Sequence, residues 1–278
     1  MNPPLSTLVI APESPMGMAG WRELWAARDL WRFLVWRDLK TRYSQSVLGL
    51  GWAVVQPLFT MGVFTVIFGG LVGVKTGSAV PYAVFSLTAV VVWTFFQSIV
   101  NDASGCLTTN MGLVTKVYFP RMVLPLAAVT VRLFDLVIML VLLAATLAVA
   151  RLKPEASAVA AVPVALLITL VLGTGAGLWL SALAVQYRDV RHGQMFLLQL
   201  LMYASPVIYA ADRVPKAWQR LYSLNPLVGI IGAMRGSLLG MGPVPWGLLG
   251  LDTVLAIILY ASGAWYFHRA MRLFADVA

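Results

Sequence analysis

The chain is nearly empty of the residues that bind metals or build disulfides: one cysteine, Cys106, and two histidines, His192 and His268. A single cysteine excludes an intramolecular disulfide and a cysteine-based metal cluster. Each histidine sits beside an arginine, with no second ligand at metal spacing. Charge is scarce, at 11% of 278 residues, and acid is scarcer, with 11 Asp and Glu against 20 Lys and Arg. No paired carboxylates stand at helical spacing and no nucleophile elbow is present, so no catalytic constellation emerges. The nearest approach to a phosphate loop is GGLVGVKT, Gly69 to Thr76. Val74 stands where the loop needs a glycine before its lysine, so the backbone amides could not wrap a phosphate. If ATP drives this protein, another chain hydrolyses it. The first twenty residues hold Pro3, Pro4, Pro12 and Pro15 without a basic segment leading into an apolar core, which argues against a cleavable signal peptide.

What is abundant is apolar: 60% of the residues, with a mean hydropathy of +0.84. That composition belongs to a polytopic membrane protein. The net charge of +9 then marks contact with anionic lipid headgroups rather than nucleic acid. Three regions follow: a flexible tail over 1–20, an interfacial segment over 21–46, and a transmembrane domain over 47–278. The interfacial segment is dense in Trp (Trp21, Trp25, Trp31, Trp36) and Arg, which favour the headgroup level. Its helical wheel is mixed, with Arg32 and Leu39 on one side, so a break near Asp29, or partial cover by the protein itself, is expected. The stretch RDLKTRYSQSVLGLGWAVVQPL, Arg37 to Leu58, carries Arg37, Asp38, Lys40 and Arg42 directly into the first span.

Apolar runs of about 20 residues predict six spans, over about 50–72, 82–100, 122–150, 156–185, 194–211 and 246–267. Between the last two, Leu224 to Met241 is apolar but punctuated by Pro and Gly, as a re-entrant or half-inserted hairpin requires. With both termini inside, the cytoplasmic segments hold twelve Lys and Arg, from Arg22 to Arg272, against seven outside, from Lys75 to Arg235. That bias favours cytoplasmic termini. No internal repeat is visible, which weighs against inverted-repeat carriers.

Ionisable residues inside spans are functional candidates. Arg132 and Asp135, three apart, share a helix face and can pair; orientation of the third helix and substrate handling are both open roles. Asp252 reads as interfacial. Trp93, Phe95, Phe96, Tyr203 and Tyr209 are candidates to line a path, since sugar rings stack on aromatic faces; an interfacial belt or core packing is the competing reading. The GxxxG spacings at Gly69/Gly73 and Gly173/Gly177 speak of close helix packing. The connection NMGLVTKVYFPR, Asn110 to Arg121, reads as a short capped helix stopped by Pro120, shaped to dock into a partner. QYRDVRHGQ, Gln186 to Gln194, is a charged turn on the same face.

Taken in order, RDLKTRYSQSVLGLGWAVVQPL, NMGLVTKVYFPR, YRDVRH, and SPVIY (Ser205 to Tyr209) with Pro215 and Asn225-Pro226 resemble permease subunits of the ABC-2 transporter type. The resemblance is strongest to the branch that exports lipid-linked polysaccharides such as O-antigen, capsule and teichoic acid. It implies an all-α, six-span fold with an amphipathic interface helix and a cytoplasmic coupling helix at Leu113, Val114, Thr115 and Lys116. It further implies a short extracellular exit hairpin, and a homodimer in the bacterial inner membrane. The partner would be two copies of a separate ATPase that holds ATP and magnesium, and the cargo undecaprenyl-linked glycan, as in lipopolysaccharide biosynthesis. Export of another lipid or a drug is the alternative within that class. A membrane-embedded glycan transferase would need acidic metal clusters in its loops, and these loops are short and basic; a passive scaffold would need no docking loop.

Overall fold

The computed structural model describes residues 23–44, 49–74, 80–117, 119–187 and 189–275. The tail over 1–20, with Trp21, Arg22, Lys75 and Arg188, lies outside them. Among the described residues every regular element is helical. These are α1 (Arg28–Ser44), α2 (Trp52–Phe64, continued by a π-helical stretch Thr65–Leu71), α3 (Tyr82–Thr109), α4 (Met111–Lys116) and α5 (Val123–Val149). There follow α6 (Ala158–Gln186), α7 (Val190–Tyr203), α8 (Lys216–Tyr222), α9 (Pro226–Leu239) and α10 (Trp246–Ala275).

Among the described residues five helices are long and apolar enough to cross a membrane: Trp52–Leu71, Tyr82–Thr109, Val123–Val149, Ala158–Gln186 and Trp246–Arg272. The stretch expected as a fifth of six spans instead forms the 14-residue α7, which stops before Ser205-Pro206. Proline cannot continue the backbone ladder and disfavours helix in the residue before it. The expected break near Asp29 falls at Ala27, where a turn separates a helical stretch over 23–26 from α1. α3 runs nine residues past the expected end at Val100, which places Asp102 on the helix rather than in a loop.

α3 is the central post, in contact with α5, α6, α2 and α9, while α6 also lies along α10. The GTGAG of α6 explains that position. A Cβ on Gly173 would come 3.0 Å from Ile99 of α3, and one on Gly175 would come 2.6 Å from the Tyr260 backbone of α10. Missing side chains thus let α6 sit between two backbones. α3 is accordingly buried along most of its length, whereas α2 turns Phe59, Val66 and Leu71 outward, 64–81% exposed.

The two ends of the bundle differ. At the near end α1 meets α3 and α5, and Arg121 donates to the Met271 carbonyl at 2.7 Å, so α1 and the C-terminal part of α10 share it. At the far end lie the α5–α6, α7–α8 and α9–α10 connections. Expected as a hairpin, Leu224 to Met241 contains one continuous helix, α9, started by Asn225, whose Oδ1 accepts from the Leu227 amide at 3.1 Å, and ended by left-handed Gly240. Both ends of α9 touch far-end segments: Asn225 donates to Ser205 Oγ, and the Ser237 carbonyl accepts from the Glu155 amide.

Candidate functional site at the near end of the bundle

The charged segment before the first span folds as the last turns of α1, and helical spacing divides its charges. Lys40 faces outward over the Trp36 ring, 4.9 Å from its centroid. Arg37, Asp38 and Arg42 turn to the bundle. Arg42 reaches two spans at once, with Nη2 2.7 Å from Asp102 Oδ2 of α3 and Nη1 3.0 Å from Asp135 Oδ2 of α5. Arg132 closes the ring, with Nε and Nη2 each 2.7 Å from Asp102 and Nη1 2.8 Å from Asp135 Oδ2. The Tyr43 hydroxyl donates to Asp135 Oδ1. Burial, reinforced by that bond, pushes the Tyr43 hydroxyl up to about 12, so it remains a donor.

The expected Arg132 and Asp135 pair is thus half of a two-by-two lattice. Asp102 and Tyr43 were not singled out in the sequence; the one signal was Asn101-Asp102 following an apolar run. Alternating charges that satisfy one another are the form in which ions are tolerated at this depth. The lattice joins three elements that share no local sequence.

Arg37 carries the connection onward. Its Nε and Nη2 each lie 2.8 Å from an acceptor, Asp38 Oδ1 and Asn110 Oδ1 respectively. Asn110 is the residue between α3 and α4, and its Nδ2 donates to the Cys106 carbonyl at 2.8 Å. α1 therefore grips the start of the short helix expected to dock. On α4 itself, Leu113 and Val114 are half-buried against a second apolar cluster that includes Leu34 and Phe119. The outward face is made by Met111, Gly112, Thr115 and Lys116. Of the four residues expected to couple, two therefore pack and two are presented. A cavity of about 400 Å³ opens beside Arg37, Asp38, Arg42 and Asp102, lined also by Arg191 in the first turn of α7.

The aromatic candidates separate. Trp93, Phe95 and Phe96 are core residues of α3, at most 4% exposed; Phe96 packs near Gly173. Tyr203 is exposed, and Tyr209 donates to its carbonyl at 3.0 Å. At this far end the SPVIY turn leaves carbonyls without helical partners, and Arg235 of α9 serves them. It donates to Pro206 O (2.7 Å), Val207 O (3.0 Å), Tyr209 O (3.2 Å) and Phe85 O (3.3 Å). Tyr82 donates to Ile208 O at 2.6 Å. Non-helical backbone at this depth is tolerated only where protein satisfies it.

The family profile of ABC-2 type transporters matches residues 29–239, from the start of α1 to the end of α9. The chain belongs to the ABC-2 type transporter family. As an ABC-2 protein it is similar to the O-antigen export system permease protein RfbA of Klebsiella pneumoniae, 26% identical over 90% of this chain and 95% of that one. The RfbA permease of Myxococcus xanthus is 29% identical over 89% of this chain and 95% of its own length. The polysialic acid transport protein KpsM of Escherichia coli is 24% identical over 72% of this chain and 77% of its own. The lattice and α4 both fall within the matched region, and the chain is a multi-pass transport protein of this ABC-2 type.

Proposed function

We propose that this ABC-2 chain is the permease subunit of an exporter that moves undecaprenyl-linked polysaccharide of the O-antigen kind across the bacterial inner membrane. The single observation that carries the cargo class is similarity along nearly the whole chain to permeases named for O-antigen export, with KpsM, named for polysialic acid transport, agreeing. No bond is made or broken in this subunit; its contribution is a path and its gating.

Two copies would build the path. The outward apolar face of α2, with a groove lined by Val55, Leu58, Phe59, Gly62, Val63, Val66 and Ile67, supports a second copy. Two copies of a separate ATPase would dock at the near end, on Thr115 and Lys116 of α4 beside α1. The Arg37 to Asn110 bond and the Arg42 lattice would then pass that movement to α3 and α5. In this reading the near end and both termini are cytoplasmic. α7 with the SPVIY turn stands as a sixth, shortened crossing, and α8 with α9 forms the exit hairpin.

Depletion of the chain in cells with radiolabelled envelope glycans tests the cargo. A full-length lipid-linked polymer trapped on the cytoplasmic face, with surface polymer lost, is the expected outcome. Normal surface glycan would move the cargo to another lipid or a drug, and loss of polymer without a trapped precursor would point to assembly instead of export.

A further inference from the structure

Asp252, near the start of α10, is enclosed by the protein and not presented at its surface. It lies in the second turn of α10, 0% exposed, and among the described residues neither carboxylate oxygen has a hydrogen-bond partner. Its Oδ2 lies where a Cβ on Gly229 of α9 would stand, and Leu248 Cβ lies 3.1 Å from that same point. α9 therefore approaches α10 closely only because residue 229 has no side chain, and the space so freed holds the carboxyl.

Among the described residues, the groups around it offer no counter-charge. α6, packed along α10, carries no titratable side chain anywhere from Ala158 to Gln186. α9 carries only Arg235, whose guanidinium is committed to the carbonyls of Phe85, Pro206, Val207 and Tyr209 and lies over the Phe85 ring, 3.5 Å from its centroid. The 240–245 connection holds Gly, Met, Pro and Val alone, and on α10 itself the next titratable residue is Tyr260, more than two turns on. A carboxylate buried without donor or cation is among the costliest arrangements a bundle can hold. A carboxylic acid in the same place forfeits at most a hydrogen bond.

We propose that Asp252 is a proton-binding site whose occupancy controls the seating of α9 on α10. With the proton bound, α9 packs as observed; when the proton leaves, the charge draws in water and lifts α9 at Gly229. Raising the pH therefore loosens α9, and lowering it restores the packing. A device of this kind ties the state of the far end to local proton concentration. It stands apart from the cargo assignment, because its readouts need neither ATP nor glycan.

The test uses the full chain in lipid nanodiscs. Hydrogen–deuterium exchange over Pro226–Leu239 is followed against pH in the wild type and in Asp252→Asn, compared at equal pH to cancel intrinsic exchange. The Asn variant keeps the shape and cannot ionise. The expected result is that wild-type exchange rises above that of the variant as pH increases, by up to about tenfold for each pH unit while the packed state still holds its proton, and levels off once the carboxyl is ionised. Infrared difference spectra between the two proteins should show a carboxylic-acid C=O band that disappears over the same interval. Equal exchange at every pH, or no acid band at any pH, would overturn the proposal. Should Asp252→Asn not fold, Gly229→Ala tests the contact itself. It should loosen α9 at low pH, and adding Asp252→Ala should restore protection; failure to restore it would equally overturn the proposal.

Discussion

Arg42 stands at a point where one side chain bridges two spans, and truncating it leaves Asp102 and Asp135 with a single arginine between them. Removing one member of a buried ion set is costly because the partners stay desolvated. The Arg42 and Asp102 side chains keep 30% and 22% exposure, so Arg42→Ala should cost roughly 2–3 kcal/mol, below the full buried-pair penalty. Thermal unfolding in detergent reads this. A double-mutant cycle with Asp102→Asn should show strong coupling, whereas one pairing Arg42 with Lys40, which faces outward, should show none. Arg235 makes the opposite kind of contact, a cation held by neutral carbonyls. Lysine cannot reproduce its fork, so Arg235→Lys should lower the yield of folded protein and Arg235→Met should lower it further, read by size-exclusion chromatography.

Among the elements, α4 is the one whose two faces have different tasks. Leu113 and Val114 pack inward against the cluster of Leu34 and Phe119, so aspartate at either position should damage folding. Thr115 and Lys116 are presented outward. Thr115→Asp with Lys116→Glu should therefore leave the purified subunit as stable as wild type while abolishing stimulation of the partner ATPase; unchanged stimulation would place docking elsewhere. α6 shows how little room an element can need. Gly175→Leu should separate α6 from α10 at Tyr260 and destroy the bundle, whereas leucine at Gly193, where a Cβ meets no atom within 4 Å, should be tolerated.

At the scale of the whole molecule the near and far ends are chemically distinct. The near end holds the charged lattice, α1, α4 and the Arg121 contact to Met271. The far end holds a network of backbone carbonyls served by Arg235, Tyr82 and Asn225. Single cysteines introduced at Lys116 and Arg269 should be labelled by an impermeant thiol reagent only in inverted vesicles, and those at Lys153 and Lys216 only in intact spheroplasts. Labelling at Lys116 and Arg269 in intact spheroplasts would overturn the assignment of the near end to the cytoplasm.

Apolar run length was enough, from sequence, to locate the five long spans, because a helix that satisfies its own backbone in lipid must be long and uncharged. The Arg132 and Asp135 pair was legible for the same kind of reason: three residues apart on one helix is a local relation. Asn225-Pro226 was visible as a boundary, since proline suits the first turn of a helix and disfavours helix in the residue before it, although Pro57 and Pro163 lie inside α2 and α6. What joins the elements was not visible. Arg42 meets Asp102 across 60 residues and Asp135 across 93, and Arg235 reaches Phe85 across 150. Such pairings depend on which helix faces lie together, and in an apolar chain many faces are nearly equivalent. The aromatics Trp93, Phe95 and Phe96 were ambiguous for that reason, and packing of α6 through its glycines placed them in the core. Local chemistry determined the elements and their ends; tertiary packing alone decided which charges are neutralised, which carbonyls are served and, among the described residues, that the buried Asp252 carboxyl has neither kind of partner.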